Sequence, residues 1–109
     1  VIITGGFLYV TPDNLLKSTI KKLFNLMKKN SYLIIWDYDT PFNYKNSWKY
    51  DKNIISYKRN LLQIINKSYK NFYLVSKQLQ IKDGTKIVSY NNKTKIDEIF
   101  AVMIFKKIA

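Results

Sequence analysis

Cysteine and histidine are both absent from this chain. Without cysteine there are no disulfides and no thiolate metal sites. Without histidine there is no Ser-His or Cys-His nucleophile pair, and the commonest general base near neutral pH is gone. Any chemistry must run on carboxylates, tyrosines, lysines, backbone groups or the single arginine, Arg59. Glycine occurs only three times and proline twice. No apolar run approaches the roughly 20 residues that cross a bilayer. The opening VIITGGFLYV has neither a basic leader nor a small-residue cleavage site, so no signal peptide and no membrane partner are expected, and a cytoplasmic location is.

What is present is a globular composition: 47% apolar and 16% aromatic residues in a chain of 109, enough for one domain with a core. Val1 opens in the middle of a strand-like run, and the expectation is a truncated or excised part of a larger domain. The formal charge is +12. Of 19 basic residues 18 are lysine, and asparagine and isoleucine are also abundant, the bias of AT-rich coding. Nucleic-acid surfaces favour the bidentate arginine fork. Nucleic acid is therefore set aside as the first reading; a basic nucleic-acid-binding module and an inactive structural remnant stand as alternatives.

Residues 1–10 are apolar except at Thr4-Gly5-Gly6, as in a strand buried on both faces with a neighbour on each side. Thr11-Pro12-Asp13 is a helix start. Over residues 13–29 the apolar positions Leu15, Leu16, Ile20, Leu23, Phe24 and Met27 recur at helical spacing; Leu15, Ile20, Leu23 and Phe24 are expected in the core. Residues 31–37 read as a second buried strand, which makes a right-handed βαβ unit. Residues 38–53 form a polar, aromatic connection without period, and such long connections are usually functional. A second helix is expected over 56–69, with Asn60 as an alternative cap, and a strand over 72–81. Lys82-Asp83-Gly84 then signals a turn, residues 86–90 a short strand, 91–95 a polar loop and 99–105 a last buried strand. The fold class expected is α/β, in the order β-α-β-loop-α-β-β, with parallel strands closed by an antiparallel hairpin.

This order, together with three local stretches, resembles the C-terminal half of class I, Rossmann-like S-adenosylmethionine-dependent methyltransferases. The stretches are Gly6-Phe7-Leu8-Tyr9-Val10-Thr11-Pro12, the acidic-aromatic pair Asp37-Tyr38 before an aromatic loop, and Tyr57-Lys58-Arg59-Asn60. They are similar to methylases associated with pseudaminic-acid and other surface-glycan biosynthesis. The resemblance implies that residues 1–109 are a partial domain from strand four onward, with the N-terminal cofactor-binding half missing. It also implies S-adenosylmethionine as cofactor and a small-molecule or sugar acceptor of nonulosonic-acid type. The glycine-rich loop and the acidic residue that hold the donor's methionine and ribose in that family do not occur in this sequence.

The implied roles fall on specific residues. Thr4, Gly5, Gly6 and Phe7 would touch the cofactor, although the glycines equally suit a bend or close packing. Asp37 would take the acceptor's proton if a hydroxyl is methylated, or else cap the loop or pair with a lysine. Tyr9, Tyr38, Trp48 and Tyr50 would line the acceptor pocket, with Tyr44 near them, or pack as the core of a folded-back loop. Tyr57 and Arg59 would bind an acidic acceptor, or form a helix-start ion pair.

Overall fold

Strand β1 (Ile2–Gly5) runs parallel to β2 (Tyr32–Tyr38), with Ile2 opposite Leu33 and Thr4 opposite Ile35. Parallel neighbours need a crossover, and helix α1 (Asp13–Leu26) supplies it. The computed structural model describes residues 2–5, 8–48, 50–81, 86–87 and 99–108. After β2 come the hairpin strands β3 (Tyr44–Trp48) and β4 (Asp51–Lys58), helix α2 (Leu61–Ser68), and strands β5 (Phe72–Ile81), β6 (Lys86–Ile87) and β7 (Ile99–Lys107). The main sheet has the order β1-β2-β7-β5-β6, and β3 and β4 form a separate two-stranded sheet.

This architecture corrects the expected fold class. Among the described residues one strand pairing, β1 with β2, is parallel, while β2–β7, β5–β7, β5–β6 and β3–β4 are antiparallel. Strand outweighs helix, and the sheet is mixed rather than a Rossmann-like parallel sheet closed by a hairpin. The overturned step is the reading of residues 38–60. A connection and the first turn of a helix were expected there, whereas the chain forms β3 and β4. Ile54, Ser56 and Lys58 alternate inward along β4, a period of two that the helical reading passed over. Helix α2 starts at Leu61 because Asn60 caps it, its side chain accepting from the Gln63 N–H.

Residues 1–10 also divide. Strand β1 ends at Gly5, and Leu8–Val10 form a short 3₁₀ turn with Leu8 fully buried. Among the described residues β1 pairs with β2 alone and lies at the sheet's edge. Residues 88–90 of the expected short strand, the loop 91–95 and the turn 82–84 lie outside the described residues.

One face of the sheet is covered. Leu33 and Ile35 of β2, Ala101, Met103 and Phe105 of β7 and Phe72 of β5 pack with Leu16, Ile20 and Met27 near α1 and with Leu61 and Ile65 of α2. Both helices thus lie over the same face. The other face is more open: Tyr32 and Trp36 are exposed, and Ile34, Val102 and Ile104 are half-buried. Leu15, expected in the core, is about half exposed; it lies about 100° around the helix from Leu16 and further from Ile20, the buried residues of α1. Helix α1 stops at Leu26, where Met27 turns into the core with its N–H on the Phe24 carbonyl. Lys107 at the end of β7 reaches back to cap that helix, donating from Nζ to the Phe24 and Met27 carbonyls at 3.1 and 2.9 Å. Among the described residues no helix is long and apolar enough to cross a membrane.

Candidate functional site

Strand alternation decides what the end of β2 presents. Leu33, Ile35 and Asp37 occupy successive inward positions, so a carboxylate stands where the strand has so far buried hydrocarbon. Asp37 is 2% exposed. Its Oδ2 accepts from the Leu8 N–H at 3.0 Å and its Oδ1 from the Tyr38 N–H at 2.8 Å. Burial pushes its pKa up to about 6; the N–H groups of Tyr38, Leu8 and Tyr9 and the positive charge of Arg59 pull the other way and lose.

Arg59 completes the arrangement from the far side. Its Nη1 donates to the Leu8 carbonyl at 2.9 Å, its Nη2 to the Thr11 carbonyl, and its Nε and Nη2 to Asp13 Oδ1 at 2.9 and 2.8 Å. Leu8 is therefore gripped at both ends of its backbone, the N–H by Asp37 and the carbonyl by Arg59. Arg59 is 3% exposed while the Asp13 side chain is 81% exposed; the guanidinium spends its donors inside the protein, on the turn and on the first residue of α1.

An aromatic wall borders this clamp. The Tyr9 ring meets Tyr38 edge-on at 5.0 Å and lies 6.4 Å from Trp48, which in turn meets Tyr50 at 5.0 Å. Tyr38 stacks on Phe100 at 4.3 Å, and Lys58 Nζ lies 4.1 Å from the Tyr38 ring centroid. Burial and the nearby Asp37 charge raise the Tyr9 hydroxyl above its ordinary value. Lys58 is buried and donates to Ser56 Oγ and to Asn46 Oδ1. Two residues beyond Asp37, Asp39 is buried and paired with Lys77 at 2.9 Å.

Of the residues singled out from sequence, Tyr9, Asp37, Tyr38, Trp48 and Tyr50 come together at the carboxyl end of β2. Tyr57 and Arg59 also pair, the guanidinium carbon 4.7 Å from the ring centroid, with Arg59 on the Leu8 carbonyl rather than its N–H. Thr4 is buried, and its Oγ1 has no hydrogen-bond partner among the described residues. Gly5 is exposed, and a Cβ there would meet Trp36 at an ordinary 3.7 Å, so no close backbone approach demands glycine. Gly6 and Phe7 lie outside the described residues. Sequence reading missed Ser56, Lys58, Asp39 and Lys77. For Asp39 the signal was there: in the run Asp37-Tyr38-Asp39 strand alternation carries both carboxylates to one side.

A cavity of about 230 Å³ opens between the β3–β4 hairpin and the start of α1, lined by Asp13, Asn43, Lys45, Tyr57, Lys58 and Arg59 among others. No protein-family model, curated protein or solved structure matches the chain.

Proposed function

We propose that the carboxyl ends of β1 and β2 form the acceptor-activating side of a transferase site, and that the reaction is methyl transfer from S-adenosylmethionine to a hydroxyl-bearing small molecule or sugar acid. One observation carries this reading: Asp37 is a buried carboxylate whose hydrogen bonds among the described residues come from backbone N–H groups, with an aromatic wall beside it. Burial outweighs those N–H groups and makes this carboxylate a stronger base than an exposed one. With a pKa of about 6 it is still ionised at neutral pH and able to accept a proton.

Two features fit the cationic end of the methyl donor. The Tyr9 ring lies next to the Asp37 charge, and an aromatic face beside a carboxylate suits a sulfonium. The Thr4 hydroxyl at the end of β1 is buried and, among the described residues, has a hydrogen bond left to make. The donor, when bound, would supply an electrophilic methyl group, its sulfur–methyl bond breaking as the acceptor oxygen takes the methyl and its sulfur leaving as a neutral thioether. The chain's own part is then to remove water, orient the acceptor against Tyr9 and Trp48, and receive the acceptor's hydroxyl proton on an Asp37 oxygen as the new carbon–oxygen bond forms. Arg59 is a positioning residue, holding the turn that aims Leu8 and Tyr9 at Asp37. Orientation of this kind contributes on the order of 7–11 kcal/mol to such reactions, which is compatible with a site lacking histidine.

The test is transfer of labelled methyl from S-adenosylmethionine to a panel of hydroxylated sugars and sugar acids, using the full-length protein. Asp37→Asn is expected to lower the rate by roughly 100-fold or more while leaving the affinity for the demethylated donor unchanged. Equal rates for Asp37→Asn and the parent protein, or no transfer to any acceptor, would overturn the reading.

A further inference from the structure

We propose that the cavity between the β3–β4 hairpin and the start of α1 binds an anionic oxygen group, a carboxylate or a phosphate, carried by the small molecule on which the site acts. Its identification as part of the acceptor rests on the function proposed above; the binding itself does not.

The lining is unbalanced in charge. Lys45, Lys58 and Arg59 face one carboxylate, Asp13, and that carboxylate already accepts from Arg59 Nε and Nη2. Two of the three cations are nearly fully buried, Lys58 at 4% and Arg59 at 3% exposure. Their field therefore reaches the cavity through protein, where screening by water and salt is weaker than at a surface. The neutral groups agree in sign. Asn43 uses its carbonyl oxygen on the Asn60 N–H, so what it has left is a donor, and Tyr57 adds a hydroxyl. The donors for a ligand are therefore those of Lys45, Asn43 and Tyr57, while Arg59 and Lys58, whose hydrogen bonds go to the protein, add positive charge behind them; an anion with several acceptor oxygens matches both.

Size narrows the occupant. At about 230 Å³ the cavity is smaller than the roughly 300–1,000 Å³ that encloses a whole drug-sized ligand. It takes one group of a molecule and leaves the rest outside. Leu8 links this cavity to Asp37, since its carbonyl is held by Arg59 and its N–H by Asp37.

The experiment is titration of the full-length protein with inorganic phosphate and, separately, with acetate at low salt, followed by amide chemical shifts. Saturable binding with shifts centred on Lys45, Tyr57 and Arg59 is expected, and the tighter of the two anions names the group. Lys45→Ala is expected to weaken binding roughly fivefold, and Asp13→Asn to tighten it by a similar factor, the worth of one nearby unit charge in a mostly aqueous setting. Lys21→Ala, on the exposed face of α1, is expected to change nothing. Linear, non-saturating shifts, or equal losses for Lys45→Ala and Lys21→Ala, would overturn the proposal, because general lysine attraction then accounts for the binding. Asp37→Asn separates the two readings: loss of methyl transfer with phosphate or acetate affinity unchanged leaves the anion site standing, whatever becomes of the transferase reading.

Discussion

The middle and the end of β2 bury equally well and are held in opposite ways. Leu33 and Ile35 are fully buried against Met103 and Phe105 across the sheet and against α1 and α2 above it. Burial there is the driving force, each such side chain contributing about 1.5–3 kcal/mol. Two residues further on the same face, Asp37 is just as inaccessible, and burial there is a cost that backbone N–H groups and the distant Arg59 charge only partly offset. The fold accepts this at the carboxyl end, where strand gives way to turn and unpaired backbone donors are at hand. The middle is held by area and the end by a polar clamp around Leu8.

The largest effect should come from the area-held middle. Phe105→Ala removes a fully buried ring touching Phe72 and is expected to cost about 3–5 kcal/mol in urea unfolding, with the pH profile unchanged. At the clamped end, Arg59→Met keeps the buried stem and deletes the donors to Leu8, Thr11 and Asp13. About 3 kcal/mol is expected from hydrogen bonds to a charged group. Amide exchange should quicken first at Leu8 and Tyr9 rather than in β7. Loss spread evenly over the sheet would erase the distinction between middle and end.

A third effect depends on pH. In the folded protein Asp37 holds its proton up to about pH 6, against 3.8 for an ordinary carboxyl. Between those values the folded state binds more protons than the unfolded one, so this group's contribution falls as pH rises through 6, by about 3 kcal/mol in all. The measure is the stability difference between the parent protein and Asp37→Asn at pH 4.5 and at pH 7.5. The parent should lose ground against the variant at the higher pH. A constant difference would mean that Asp37 is not desolvated.

Much of the middle was legible in the sequence, and less of the end. The run from Phe72 to Ile81 announces itself by alternation and the start of β7 at Ile99 by an unbroken apolar run, and Thr11-Pro12-Asp13 marks the start of α1, although the cap position falls on Pro12 rather than Thr11 and no side chain caps it. The end of α1 was placed three residues late: Lys28 and Lys29 suit a helix terminus, but burying Met27 ends the helix first. The hairpin was hidden because Tyr44 to Lys58 carries more polar than apolar residues. Its inward positions at Ser56 and Lys58 are polar, paid for by contacts with Asn46 and Tyr38 that no local pattern announces. Asp37 was identifiable as the acidic residue closing an apolar strand. Its grip on Leu8, 29 positions away, and that of Arg59 across 51, are tertiary facts. The parallel sheet expected from the first βαβ unit failed for a related reason: the strand on the far side of β2 is β7, with Ile35 opposite Met103, about 68 residues later.

The most direct measurement is an NMR titration of the Asp37 side-chain carboxyl carbon. A midpoint near pH 6, with the Leu8 amide proton shifting at the same pH, is the expected result. A midpoint at or below pH 4 would contradict it: Asp37 would then be an ordinary solvated carboxylate, with neither the basicity to take an acceptor's proton nor the burial on which the clamp depends.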